Sequence, residues 1–218
     1  MKPFGRVKII DRLFLLTFFL LAPLAQAQTS WKGTASTSWN NAANWTAGVP
    51  TSTLDAIIGD GNFTCSNQPT VNAASVCKSL NLGTGSIACT LTVTRKLTVS
   101  GDVVIGSNGT VAHSSGVAIS LTRNWTNSGT YNATASSALV IVAGVAQSLN
   151  GATTFRKLTI NAGSTTTLNA NISVGNTLAA NGTCDSGGTP GFVVSGAGEL
   201  TAKRRALRIS FAIQVERQ

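Results

Sequence analysis

"RKLTV" at Arg95–Val99 returns as "RKLTI" at Arg156–Ile160, and this recurrence decides the fold. The interval of 61 residues is close to three periods of about 20, and Gly109-Thr110 recurs as Gly129-Thr130 one such period later. "KSLNL" at Lys78–Leu82 reads as a looser copy. Inside these units apolar residues alternate with polar ones, at Leu80 and Leu82, Leu91 and Val93, Leu97 and Val99, Leu158 and Ile160, and Ile172 and Val174. Each short run ends in Gly, Asn or Ser, which are turn residues. A meander or sandwich built of hairpins shows longer strands and Asn-Gly hairpin signals instead. The pattern therefore predicts an all-β chain wound as a right-handed parallel β-helix, a solenoid with one coil per period. With a rise of about 4.8 Å per coil, residues 56–200 predict roughly seven coils and a rod on the order of 35 Å long. Leu, Val and Ile fill its interior; Ser, Thr and Asn cover it.

Upstream of the first coil, "WKGTASTSWNNAANWTAGVP" at residues 31–50 holds three of the four tryptophans, Trp31, Trp39 and Trp45, among small polar residues. Two readings compete. An open solenoid end exposes core and unpaired strand edges, and large rings cover both, each buried Trp contributing roughly 3 kcal/mol. Alternatively the rings, with Trp125 on a coil, stack on the faces of a glycan. The capping reading assigns residues 28–55 to an N-terminal cap built on Trp31, Gly33, Trp39, Asn44, Trp45, Pro50 and Asp55.

Residues 1–27 read as a signal peptide. "MKPFGRVKIIDR" is charged, "LFLLTFFLLAPL" is apolar but short of a membrane span, and Ala25-Gln26-Ala27 is a small-x-small cleavage site. The expected location is secreted or at the cell surface, with no membrane insertion after cleavage. At the other end, residues 201–218 form an atypical basic tail in which Leu207, Ile209, Phe211, Ile213 and Val215 alternate. It reads either as a last capping strand or as the end of a truncated or frame-shifted gene.

The formal net charge is +9. Lys2, Arg6, Lys8 and Arg12 against Asp11 give +3 before residue 28, and Lys203, Arg204, Arg205, Arg208 and Arg217 against Glu216 give +4 after residue 202. The body between keeps only +2, so its charge gives no reason to expect a nucleic-acid partner. Cys65, Cys77, Cys89 and Cys184 all lie in the exported part, where disulfides persist, and predict one bridge near the N-terminal end. Four cysteines allow three full pairings, which spacing does not choose among. Neither CxxC nor a flanking His suggests zinc.

Catalytic patterns are weak. Glycoside hydrolysis needs two carboxylates within about 5–9.5 Å, yet Asp102 and Asp185 fall about four coils apart, and Asp60-Gly61 and Gly101-Asp102 are ordinary turn dipeptides. His113 is the lone histidine and reads as a surface or turn residue; Ser114 and Ser115 beside it sit in no glycine elbow. The seven Asn-x-Ser/Thr sequons follow from composition. The expectation is a chain without catalytic residues, metal or cofactor.

"WKGTASTSWNNAANWTAGVPTSTLDAIIG" resembles the W-x-G…W…NW…G-x-P…D-x-V-x-I lead-in of exported bacterial β-helix proteins, which include autotransporter-passenger-like surface proteins and large secreted repeat proteins of the Bacteroidetes kind. "KSLNL", "RKLTV", "NWTNSGTYNA" and "FRKLTINAGSTTTLNANISVGNTL" are similar to the coil repeats of that group, and the likeness spans roughly Trp31 to Gly182. The resemblance implies a non-enzymatic structural or adhesive module, a piece of a longer surface protein whose partner is a glycan or a host or neighbouring cell surface. The competing expectation is a polysaccharide-active lyase or glycosidase-like β-helix whose catalytic part is missing.

Overall fold

A computed structural model describes residues 27–63, 67–185, 192–194, 199–202 and 207–208. All of the segment read as a signal peptide except Ala27, together with Cys65 and most of the basic tail, lies outside the described residues. Short alternating strands bury one side and leave the other to water, and here they stack in parallel into three sheets. Sheet 1 has nine strands, opening with Gln28–Ser30 and Asp55–Ile58 and continuing through Leu80–Leu82, Val103–Ile105, Trp125–Asn127, Ala146–Asn150, Thr165–Leu168, Thr183–Asp185 and Leu207–Arg208. Sheet 2 runs from Ser75–Cys77 through Leu97–Val99, Ala118–Leu121, Leu139–Val142 and Thr153–Ile160 to Ile172–Ala180, against which Phe192–Val194 and Glu199–Ala202 both pair. Sheet 3 is shorter, with Thr70–Val71, Cys89–Val93, Gly109–His113 and Thr130–Ala133. The chain visits the sheets in turn and makes a β-solenoid of about six turns. A single 3-10 turn, Ala42–Asn44, interrupts the β-structure of the described residues.

Register explains the repeat. Leu97, Ile119, Val140 and Leu158 are successive members of one inward column of sheet 2, so the two RKLT segments occupy equivalent places three coils apart. Thr110 lies beside Thr130, one coil on, as their spacing predicts. "KSLNL" does not belong to this set: Leu80 and Leu82 lie in sheet 1, and the Lys78–Lys96 interval is not a coil. Coils are also longer at first than the expected 20. Ile58, Leu82 and Ile105 stand 24 and 23 residues apart, which is why there are about six turns instead of seven.

Later coils shorten for a local reason. In the fourth coil, residues 134–138 turn the corner from sheet 3 into sheet 2. One coil on, the strand Thr153–Ile160 passes the corner without a loop, and only Arg156 sits at a register irregularity between Phe155 and Lys157. Four residues vanish, and the step from Val142 to Ile160 is accordingly 18 residues where Cys77 to Val99 is 22. Backbone carbonyls at this step are satisfied by side chains: Arg156 Nε donates to Ala133 O (3.1 Å) and Asn176 Nδ2 to Ser136 O (2.9 Å).

At the corner where sheet 1 ends, adjacent coils approach too closely for a side chain. Gly83 and Gly151 adopt φ of 64° and 78°, and a Cβ on either would strike the backbone of the next or preceding coil, at Gly109 and Asn127 respectively.

Candidate functional site

The tryptophan-rich segment is tied to the first coil before its rings are considered. Gln28–Ser30 pairs in parallel with Asp55–Ile57, Trp31 N donates to Ile57 O (2.8 Å), and Trp39 N donates to Thr70 O (3.0 Å). Trp31 and Trp45 then meet edge to face with centroids 5.0 Å apart, and Trp39 and Trp45 do the same at 4.9 Å. Trp45 Nε1 donates to Trp39 O (2.7 Å) and Trp31 Nε1 to Asn67 O (2.8 Å). Asn44 holds the loop from inside: Oδ1 accepts from Ala35 N and Ser36 N, while Nδ2 donates to Ser38 O. Gly33 supplies a turn at φ 64°, and Pro50 is buried.

A sugar-stacking role for these rings does not survive this geometry. Trp31, Trp39 and Trp125 are 0% exposed and Trp45 is 2% exposed, so no ring has a face to offer a glycan. Trp125 points into the lumen, where it meets Tyr131 (5.2 Å) and Phe155 (5.2 Å) at steep angles and its Nε1 donates to Thr153 Oγ1 (3.2 Å). Small, polar sequence neighbours concealed this, because in a strand the neighbours of an inward residue face out.

His113 is likewise internal rather than a surface or turn residue. It occupies the inward column of Val71, Val93 and Ala133. Nε2 lies 2.8 Å from Val117 O, which only accepts, so Nε2 carries the proton; Nδ1 then accepts from the Tyr131 hydroxyl at 2.8 Å. Burial lowers the imidazole pKa, the bond to Val117 partly opposing it, and raises that of the Tyr131 phenol. Both ring nitrogens are engaged, and no serine is bonded to either.

The expected disulfide is corrected. Cys77, Cys89 and Cys184 are free and buried. Each occupies an inward position on a different sheet or coil, used as a small apolar side chain. Burial pushes the Cys89 thiol up to about 11 and Cys184 to about 12; Cys77 is raised further, with the charge of Asp55 adding to burial.

The carboxylates reveal an order that separations in sequence did not. Register places Asp55, Ser79, Asp102, Asn124, Ser148, Thr167 and Asp185 in one column along the leading edge of sheet 1, each one residue before or beside an inward position. Side-chain oxygens climb this column. Asp55 Oδ1 accepts from Ser79 N (3.0 Å), Asp102 Oδ1 from Asn124 N (2.9 Å), and Asn124 Oδ1 from Ser148 N (2.9 Å). The signal was present in sequence as an oxygen-bearing residue immediately before Ala56, Leu80, Val103, Trp125, Leu149 and Leu168.

Beside the column lies a groove of about 580 Å³, lined by Ser52, Lys78, Ser79, Ser100, Asp102 and Arg123 among others. Its depth follows from corner length. Lys78-Ser79 turns from sheet 2 into sheet 1 in two residues, while the next coil uses three, Ser100, Gly101 and Asp102. Lys78 Nζ stands 3.6 Å from Asp55 Oδ2. Asp60, the remaining acid of this region, accepts from Ser30 Oγ (2.7 Å) and from Asn62 and serves the turn. No group of three or more metal-binding side chains occurs among the described residues.

Fold and side chains together define the class, a parallel β-solenoid with a polar ladder along the leading edge of sheet 1. No family model matches the chain, nor does a curated protein or a solved structure.

Proposed function

We propose that this chain is a non-enzymatic structural or adhesive β-solenoid module, exported to the cell surface or secreted, with a glycan or a host or neighbouring cell surface as its partner. The observation that carries this reading is the use of chemically capable side chains by the fold. Asp55 and Asp102 cap backbone N–H groups, His113 is bonded through both nitrogens inside the lumen, and the described thiols are buried. Outward positions instead repeat hydroxyls and amides: Thr90, Thr110 and Thr130 are in register on sheet 3, and Asn169 Nδ2 donates to Asn150 Oδ1, whose own Nδ2 reaches Thr126 Oγ1. A right-handed winding accords with the near-universal hand of parallel crossovers. A capping role for Trp31, Trp39 and Trp45 accords with their burial and with the backbone bonds of Trp31 to Ile57 in sheet 1 and of Trp39 to Thr70 in sheet 3.

A polysaccharide-active enzyme is the second reading. Asp55 and Asp102 share a column two coils, about 10 Å, apart with Lys78 close by, at the edge of the separation used by inverting glycosidases. A glycan array and a depolymerisation assay on the purified chain decide between them. Binding without release of reducing or unsaturated ends is expected. Product release abolished by Asp102→Asn would replace the first reading with the second.

A further inference from the structure

We propose that the outer face of sheet 2 binds an acidic polysaccharide through two Arg-Lys pairs, Arg95-Lys96 and Arg156-Lys157. The inference rests on the glycan-binding reading above and names the ligand class and the face. The fold uses Leu97 and Val99, Leu158 and Ile160, as inward residues of the two RKLT segments; it has no such use for the bases before them. Lys96, Ala118, Leu139 and Lys157 follow one another in a single outward column, so the pairs stand three coils apart, about 14 Å. Arg95 and Arg156 are exposed and partly anchored: Arg95 Nη1 donates to Thr94 O (2.9 Å) and Arg156 Nε to Ala133 O (3.1 Å). Each guanidinium keeps further N–H donors for a ligand.

None of the four bases forms an ion pair with a described carboxylate. Asp55, Asp60, Asp102 and Asp185 all belong to sheet 1 or its flanks, and Glu199, in register with Thr177, stands two coils beyond Lys157. A ligand touching both pairs must be a polymer with anionic groups spread over three coil spacings, and an extended chain of uronate sugars has that form. Between the pairs Ala118, Ser120, Leu139 and Ile141 give an uncharged, partly apolar and half-buried floor. Nucleic acid fits less well, since Trp125, Tyr131 and Phe155 are turned inward and no described side chain between the two pairs is a ring on which a base could stack.

The test measures binding of the full chain to size-defined oligosaccharides of hyaluronan and polygalacturonate, with dextran as neutral control and single-stranded DNA as competing polyanion. All proteins carry glutamine at Lys203, Arg204, Arg205, Arg208 and Arg217, so that the basic tail does not contribute. Changing Arg95, Lys96, Arg156 and Lys157 to glutamine should raise the Kd for the acidic oligosaccharides by about ten-fold or more and flatten its salt dependence. Lys96→Gln with Lys157→Gln, which spares both anchored arginines, should give a smaller loss in the same direction, and Arg123→Gln in the groove should change nothing. Unchanged affinity in the four-fold variant, an equal loss with Arg123→Gln, or tighter binding of DNA than of either uronate polymer overturns the proposal. Binding of dextran that ignores the four bases would overturn it while sparing the glycan-binding reading; absence of any glycan binding would remove both.

Discussion

At the scale of the residue, two kinds of side chain hold this molecule. Aromatic rings pack against one another, Trp31, Trp39 and Trp45 beside the first coil and Trp125 with Tyr131 and Phe155 in the lumen. Trp45 contacts both Trp31 and Trp39, and Trp45→Ala should cost about 3–5 kcal/mol, read as a lowered urea midpoint. Oxygen acceptors on the leading edge of sheet 1 act through single hydrogen bonds. Asp102→Ala should cost about 1 kcal/mol by leaving Asn124 N unpaired, while Asp102→Asn, which keeps the acceptor, should cost less. His113 makes stability depend on pH. Its pKa is lowered on folding, so the unfolded chain binds the proton more readily, and this contribution is complete above about pH 6.5 and declines as pH falls below it. The Tm should therefore drop between pH 7.5 and 5.5, and His113→Val, which matches Val93 in the same column, should remove that part of the slope at a cost in stability.

Corners are the elements that set coil length. Gly151 and Gly163 both lie at positive φ, 78° and 83°, but only Gly151 has the backbone of another coil where a Cβ would go; Gly163 has open space. Gly163→Ala should cost about 1–2 kcal/mol, the penalty of the left-handed backbone alone. Gly151→Ala should cost distinctly more, because two coils must also separate. A difference near zero between the two variants in chemical denaturation would contradict the close approach. The loss of residues between sheets 3 and 2 after the fourth coil has the same origin in corner geometry. One residue, Arg156, opposite Gly175 and Asn176 of the next coil, replaces a five-residue turn, and its guanidinium satisfies the carbonyl of Ala133.

Over the whole molecule, cohesion comes from stacking, with no covalent staple among the described residues. Reductant should leave the Tm unchanged. Cys77, Cys89 and Cys184 should resist alkylation in the native protein and react once urea unfolds it, since burial both hides them and disfavours the thiolate. Labelling of any of the three under native conditions would contradict the inward placement. Charge is also arranged at this scale. The four aspartates Asp55, Asp60, Asp102 and Asp185 lie on sheet 1 or its flanks while the Arg-Lys pairs stand on sheet 2, with Glu199 two coils beyond Lys157, an arrangement a net charge does not express.

The period, the parallel strands and the inward Leu, Val and Ile were legible in the sequence because strand alternation and coil repetition are one-dimensional rules. Leu97 and Leu158 announce their equivalence through the Arg-Lys before each and the Thr after it. Which residues face each other across coils is a different matter. Corner lengths vary from one residue at Arg156 to six or more, as at residues 83–88, so the column joining Asp55, Asp102 and Asp185 exists only after register is fixed. Burial of Trp125 and His113 was decided the same way. Sequence neighbours describe the opposite face of a strand, whereas the coils above and below, some twenty residues away, determine whether a ring meets water or core.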